Sequence, residues 1–448
     1  MAIRGNETRP KLITSLPGPN AKKIVKKDTK YLMTTTKCAP VAAARARGVV
    51  VEDVDGNRLL DFASGIGVIN TGHCHPKVVK AVQDQAAKLI HFAGTDFYYD
   101  VQADLAERLN GLVPIKGNTK TFFCQSGAEA NEAAFKVARN HAGKRQFVAF
   151  QGAFHGRTMG ALSLTHSKAM QQMGNFPSMP GVHHTPFPSA YKNMWGINGY
   201  EEPDELSNRA LDALEYLFET KLPVEDTAAL FWEPVQGEGG YHVTPKPFAK
   251  GLQKICNDND ILLVADEVQT GFGRTGKWFA SEHFGVNPDM ISIAKAMGSG
   301  MPIGAQIVRA DLDLPEQGIH SNTYGGNLVA CAASLATIDV LGEEKLIENS
   351  AKMGDYLGKH LNDIKEDFRS VGDARGIGLM RAMEFNKADG TADAKLRDKV
   401  EEQAWKKGLV LLGCGKSGIR FIPSLNVTKG QIDGAMDVLR DAMRAAKA

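Results

Sequence analysis

LLVADEVQTGFGRTGKWFASEHFGVNPDMISIAKAMGSGMPIGA, residues 262–305, carries the strongest fold information in the chain. It begins within an apolar run, ILLVA, that ends at Ala265 and is followed at once by Asp266. A second run, MISIA, ends at Ala294 and is followed by Lys295. Working outward, a third run, AALFW, ends at Trp232 and is followed by Glu233. Short runs with no polar alternation read as strands buried on both faces, the pattern of a parallel sheet covered by helices. Open sheets of this kind bind ligands outside the carboxyl ends of their strands. Three ionisable residues therefore stand where a ligand crevice is expected.

The surrounding sequence fits an α/β chain of more than one domain. At 448 residues it exceeds the usual single-domain size. Residues 1–40 are polar and contain proline, and read as an extended arm. From Val49 the run VVVEDVDGNRLLDFA reads as a β-hairpin turning at Asp55-Gly56. Helix and strand patterns then alternate to about residue 340. Beyond it come long amphipathic helices, as in GEEKLIENSAKMGDYLGKHLNDI, and short strands in GIGLMRAMEF and GIRFIPSL. The expected division is an N-terminal arm with a small-domain or interface segment (1–80), a large domain carrying the site (81–338) and a small α+β domain (339–448).

Composition narrows the function classes. Basic and acidic residues number 53 and 51, a formal net charge of +2, so bulk charge points to neither nucleic acid nor membrane as a partner. Six cysteines stand apart with no Cys-x-x-Cys pair, which disfavours a zinc ribbon or a disulfide framework and suits a reducing compartment. The N-terminal MAIRGNETRPKLITSLPGP lacks the apolar core of a secretory signal, and no run of about 18 apolar residues is present to span a bilayer. A cytoplasmic location is the resulting expectation.

Two further segments bear on chemistry. In CQSGAEANEAAFKVARN, Ser126 is a candidate N-cap and Glu129, three residues on, completes a capping box. Ala130, Ala133, Ala134, Val137 and Ala138 make one apolar face at helical spacing. Gly127 and Ala128 let the backbone approach a ligand, and the free N–H groups of the first turn can hold a phosphate. The same features also describe a well-capped helix and nothing more. Lys295 lies in an apolar, Gly-rich setting, where burial would lower its pKa and free the amine to attack a carbonyl. A Schiff base with pyridoxal phosphate (PLP) needs such a lysine. It also needs a carboxylate to keep the pyridine nitrogen protonated, and Asp266, one strand away, is the candidate.

On these residues the run 262–305 resembles the signature of class III (subgroup II) PLP-dependent aminotransferases: a DE-x-x-x-GFGRTG segment, a PD dipeptide and the lysine in SIAK. The likeness extends from DVDGNRLLDFASGIGVINTGHCHP to IRFIPSL, and its wording is nearest to 4-aminobutyrate aminotransferases. RPKLITSLPGP, TDFYYD and MPGVHHTPFP also resemble archaeal amino-acid racemases built on the same scaffold. The resemblance implies the fold-type I PLP architecture. It implies that Lys295 holds the cofactor and shuttles the proton, that Asp266 pairs with the ring nitrogen, that Gln269 lies near the ring's phenolic oxygen and that Phe154 stacks on the ring. It gives the phosphate to Ser126, Gly127 and Ala128, with Thr323 donated by a second chain, so that a homodimer or dimer of dimers shares its sites. Many relatives carry Thr or Ser where this chain has Ala128.

Substrate contacts are implied in the same way. Arg157 matches a residue that binds a distal carboxylate, for which a guanidinium fork is suited. Glu233 and Arg420 match a switchable pair: the glutamate neutralises the arginine for an ω-amine donor and frees it for an α-carboxylate. Ile66 matches an apolar pocket wall, with Glu238 nearby. Each of these residues also reads as a packing or salt-bridge residue. The type reaction is amino transfer from an ω-amino acid such as 4-aminobutyrate to 2-oxoglutarate. A racemase or epimerase, or an ornithine- or acetylornithine-type aminotransferase, is the alternative.

Other signals fail their context. Gly413 to Gly418 spells GxGxxG but precedes a strand rather than a helix, and Val410 stands where a phosphate-binding loop needs its first glycine. His73-Cys74-His75 is too compact a run to surround one metal ion, so no metal site is expected. His183-His184 reads as surface or loop.

Overall fold

The structure, a computed structural model, describes residues 3–448. Met1 and Ala2, with which the expected N-terminal arm begins, lie outside the described residues. The chain divides into two compact units. One is Lys77–Ile347; the other joins the stretch up to Pro76 with Glu348–Ala448.

Seven strands form the sheet of the Lys77–Ile347 unit: β1 (Thr119–Cys124), β2 (Gln146–Phe150), β3 (Val182–Thr185), β4 (Thr227–Trp232), β5 (Leu262–Asp266), β6 (Met290–Ile293) and β7 (Gly304–Arg309). Their spatial order is β1-β7-β6-β5-β4-β2-β3. The pairs from β6 through β5, β4 and β2 to β3 are all parallel. β7 alone runs antiparallel to both its neighbours. Every residue of β4, β5 and β6 is buried, which is why their sequences are mostly apolar and do not alternate regularly. The helix Gly127–Ala142 covers this sheet with the small-residue face read from the sequence; Ala130, Ala133, Ala134, Val137 and Ala138 are all buried. Phe135 from that helix meets Phe147 of β2 edge-on at 4.6 Å and Phe231 of β4 at 5.1 Å. Truncating one such ring to alanine costs about 3–5 kcal/mol.

The other unit holds two four-stranded sheets. In one, Val50–Asp53 and Arg58–Asp61 form the expected hairpin, with Gly56 at φ 87° in its turn. Leu409–Val410 adds to it in parallel, beside Leu60 and Asp61. The second sheet is antiparallel and contains Val371–Ile377, Met380–Phe385, Gly418–Phe421 and Leu412–Cys414. The helix Leu346–Asp367 buries Met353, Leu357, Leu361 and Ile364 along one stripe, as its amphipathic pattern requires.

Three readings are corrected. The N-terminal arm is not wholly extended: Pro19–Tyr31 is a helix. Its first N–H groups are satisfied by Asp55, whose carboxylate accepts from Asn20 N at 2.8 Å and Ala21 N at 2.9 Å, so its cap comes from the distant hairpin turn. GIGLMRAMEF is not one strand. It contains the end of one strand, a turn at Gly378-Leu379 and the next strand. His183 and His184 sit on β3, half-buried, and bond to Gln146 Oε1 and the Leu164 carbonyl. The GxGxxG run is a hairpin turn between Leu412–Cys414 and Gly418–Phe421. Among the described residues no helix is long and apolar enough to cross a membrane.

Candidate active site

The register of the sheet brings three carboxyl ends side by side. Ala265 of β5 pairs with Trp232 of β4 and with Ile291 of β6. Glu233, Asp266 and Lys295 therefore leave the sheet at the same end of three adjacent parallel strands. Lys295 is half-buried and opens a short 3-10 turn, Lys295–Gly298, with φ 44°. Ser299, just past the turn, has φ 45°. Left-handed backbone at two non-glycine residues is strain that persists where the surroundings over-determine it, commonly at functional sites.

Asp266 is 5% exposed and its oxygens are fixed from three directions. Oδ2 accepts from Asn131 Nδ2 at 2.9 Å and from His155 Nδ1 at 2.7 Å, and Oδ1 accepts from Val268 N at 3.0 Å. Burial opposes protonation of His155, but its hydrogen bond to Asp266 and the charges of Asp266 and Glu233 outweigh this and hold its pKa above the ordinary imidazole value. Glu233 Oε1 accepts from Phe154 N at 2.7 Å and Oε2 from Gly237 N at 2.7 Å. Burial pushes the Glu233 carboxyl up to about 7; His155 pulls it down, Asp266 pushes it up again, and the two backbone donors lower it. The first carboxylate of the DE pair thus faces the site. The second, Glu267, turns away, accepting from Ala280 N at 3.0 Å, Ser281 N at 2.7 Å and the Thr270 hydroxyl.

The cradle for a cofactor is assembled around these carboxylates. Ser126 caps the helix Gly127–Ala142, its Oγ accepting from Glu129 N at 3.3 Å. The Glu129 carboxylate accepts from Gln125 N rather than Ser126 N, so the expected capping box closes one residue early. A Cβ on Gly127 would come within 2.7 Å of Val268 Cγ1, so only glycine lets this turn approach the segment after Asp266. A Cβ on Gly156 would come within 2.6 Å of the Ala128 Cβ, which shows how closely the Phe154–Arg157 segment lies on the helix start. Gln269 stands against Gly237, and its Oε1 is buried without a partner among the described residues. A helix N-terminus for phosphate, a half-buried aromatic ring, a buried carboxylate and an orphaned amide oxygen fit PLP.

Arg157 is exposed, and its guanidinium lies over the Phe154 ring at 5.7 Å. The next turn is fixed by Glu132, which accepts from the Thr158 hydroxyl at 2.6 Å and from Gly160 N at 3.0 Å. Glu238 is half-buried and paired with Lys168 at 2.6 Å. Thr323 is exposed. Ile66 and Arg420 belong to the other unit. Ile66 is 48% exposed with φ 68°. Arg420 is buried on the strand Gly418–Phe421, opposite Ala382 and Leu412, within electrostatic reach of Glu401. His155 and Asn131 escaped the sequence reading. The one available signal was the histidine beside Phe154 in AFHGRT.

No cluster of potential metal ligands exists among the described residues, and His73 is bonded to Asp61 at 2.7 Å. All six cysteines are free.

Comparison with known proteins agrees with this geometry. The family described as Aminotransferase class-III matches residues 32–443. An alanine/serine racemase of Pyrococcus horikoshii is 41% identical over 440 residues, 97% of this chain and 93% of that protein. An acetylornithine aminotransferase of Methanosarcina mazei is 42% identical over 94% of this chain and 96% of its own length. A 5-aminovalerate aminotransferase of Pseudomonas aeruginosa is 39% identical over 90% and 93%. Among solved structures, a PLP-bound amine transaminase from an uncultivated Pseudomonas species superposes with a TM-score of 0.86 at 29% identity, covering 93% of this chain and 98% of that one. The chain belongs to the class-III aminotransferases, PLP-dependent enzymes of the fold-type I architecture.

Proposed function

We propose that the chain transfers the amino group of an ω-amino acid, with 4-aminobutyrate as the type substrate, to 2-oxoglutarate. The observation that carries this reading is Arg157, an exposed guanidinium held over the Phe154 ring at 5.7 Å. There it can fork onto a carboxylate several bonds from the reacting amine. The similarity to a 5-aminovalerate aminotransferase supports the same class, since that substrate also separates amine from carboxylate by a short apolar chain.

Ser126, Gly127 and Ala128 would hold the PLP phosphate at the helix N-terminus, Phe154 would cover a ring face, and Gln269 would meet the ring's phenolic oxygen. When bound, PLP supplies an electron sink that acidifies the C–H bond beside the substrate amine. Asp266 would serve the ring nitrogen, and Lys295 Nζ would anchor the cofactor and move the proton at the substrate carbon. Glu233 neutralises Arg420 for an ω-amine donor and releases it when glutamate or 2-oxoglutarate presents an α-carboxylate. Ile66 and Glu238 shape the pocket wall. Thr323, exposed in the single chain, would complete the phosphate site of a second copy in a homodimer or dimer of dimers.

A racemase is the second reading, favoured by the 41% identity to an alanine/serine racemase over nearly the whole chain. Both activities begin with proton abstraction by Lys295. They part at the return of the proton: a racemase must deliver it to the opposite face of the substrate carbon and needs a second acid/base there, which a transaminase does not. A panel of donors with 2-oxoglutarate, including 4-aminobutyrate, 5-aminovalerate and acetylornithine, is assayed for glutamate beside a chiral assay on L-alanine and L-serine. Glutamate formed fastest from 4-aminobutyrate supports the proposal. Fastest transfer from acetylornithine moves the assignment to that class. Racemisation with no transfer from any ω-amine overturns it in favour of the racemase.

A further inference from the structure

We propose that His155 is a positioning residue that couples the two buried carboxylates of the site, so that the charge carried by Glu233 is felt at Asp266. This rests on the reading of Asp266 as the group that serves the PLP ring nitrogen.

His155 is held on three sides. Its N–H donates to Thr165 Oγ1 at 3.0 Å, its carbonyl accepts from Asn131 Nδ2 at 2.7 Å, and its Nδ1 bonds to Asp266 Oδ2 at 2.7 Å. The same Asn131 amide reaches Asp266 Oδ2, so the histidine backbone and the carboxylate share a donor. The preceding residue, Phe154, donates its N–H to Glu233 at 2.7 Å. A dipeptide thus joins the carboxylate at the end of β4 to the carboxylate at the end of β5.

The remaining atom makes this link sensitive. His155 Nε2 is buried and has no partner among the described residues, and the ring packs edge-on against Phe231 at 5.9 Å. Because Nδ1 faces a carboxylate, it carries a proton. As the neutral Nδ1–H tautomer, the ring leaves a bare nitrogen against an apolar wall. As the cation, it leaves an unsatisfied N–H there, which costs free energy. The charged groups facing it are Asp266 and Glu233, which favour the cation, and His184 of β3, on which His155 acts as a like charge. The two carboxylates therefore set the balance against burial. When Glu233 loses its charge or is drawn to a cation, one of the two supports for the His155 proton goes. The ring shifts toward the neutral tautomer, and the negative charge of Asp266 is then no longer offset by a cation at Oδ2.

The test is a titration of the full-length chain labelled with ¹⁵N-histidine, with and without PLP. The His155 ring signal is assigned by its loss in His155→Asn. The midpoint of His155 is expected to fall in Glu233→Gln and to stay near wild type in Glu233→Asp, which keeps the charge. An unchanged midpoint in Glu233→Gln overturns the proposal. So does an equal fall in Glu233→Asp, because displacement rather than charge would then be responsible. If the glutamine variant does not fold, the wild-type titration decides: coupling requires a second inflection at His155 from Glu233, and a single inflection overturns the proposal. PLP dependence is tested separately by the visible absorbance of the PLP-loaded wild type. Its absence would remove the role assigned to Asp266 while leaving the His155–Glu233 result to stand or fall by itself.

Discussion

Adjacent carboxylates in one motif have opposite fates. Asp266 takes donors from Asn131, His155 and Val268 at the carboxyl end of β5, whereas Glu267 satisfies the start of the short helix Ser281–Phe284. Their amide variants should therefore separate function from stability. Asp266→Asn is expected to weaken PLP retention and slow amino transfer by more than about tenfold, or about 1.4 kcal/mol of barrier, with little change in Tm. Single-turnover absorbance and a thermal melt check both parts. Glu267→Gln puts an N–H₂ where backbone N–H groups now donate. It should cost about 1–3 kcal/mol of stability, read as a lower urea midpoint, while PLP spectra of the folded protein stay unchanged. Glu233 adds a pH dependence. Its carboxyl lies at about 7 in the fold against an ordinary 4.5, so the folded state binds the extra proton between those values. The stability this group contributes is fully present below about 4.5 and is lost as pH rises through about 7. His155, also raised, acts with the same sign. Urea midpoints should fall across that window in wild type and fall less in Glu233→Gln; parallel curves would refute the assignment.

At the scale of elements, the site depends on how closely the start of the helix Gly127–Ala142 approaches the loop after β5. Gly127→Ala places a methyl 2.7 Å from the stiff, β-branched Val268. The expected cost is about 1–3 kcal/mol, felt mainly as weaker PLP binding because the shift falls on the turn proposed to hold the phosphate. Equilibrium dialysis against PLP measures it, and unchanged affinity would remove this turn from the phosphate site. What could be read from sequence follows the same physics. Strands β4, β5 and β6 were legible because burial on both faces leaves mostly apolar runs, and the charged residue at the end of each run marks its carboxyl end. The Ser126 cap was legible because its partner is three residues away. His155 and Asn131 were not, since their bonds to Asp266 close over 111 and 135 residues. The helix Pro19–Tyr31 was missed for the same reason, its N-terminus being satisfied by Asp55, 35 residues on from Asn20. Local chemistry writes local signals; contacts made only by the folded sheet leave none.

Over the whole molecule, the two arginines assigned to carboxylates lie in different compact units: Arg157 within Lys77–Ile347, and Arg420 within the unit that includes Glu348–Ala448. Their settings differ as well. Arg157 is exposed beside Phe154, whereas Arg420 is buried on a strand, within reach of the charge of Glu401. An exposed guanidinium suits a group that enters and leaves with every substrate. A buried one suits a clamp whose charge must be balanced when no α-carboxylate is present, the task proposed for Glu233. 4-Aminobutyrate carries only the distal carboxylate, while glutamate carries both. Arg157→Ala should therefore damage both half-reactions. Arg420→Ala should damage the glutamate or 2-oxoglutarate half far more than the 4-aminobutyrate half. Loss of a charge-assisted bidentate contact costs about 2–4 kcal/mol, roughly 30- to 1000-fold in catalytic efficiency. Removing Arg420 also leaves Glu233 without its proposed counter-charge. Because that carboxyl already lies at about 7, it can take up a proton instead of remaining an unpaired buried anion, so the 4-aminobutyrate half should survive near neutral pH and weaken as pH rises. Stopped-flow absorbance on each half-reaction, at pH values on either side of about 7, measures the split. Equal loss in both halves after Arg420→Ala would show that one pocket does not serve two carboxylate modes.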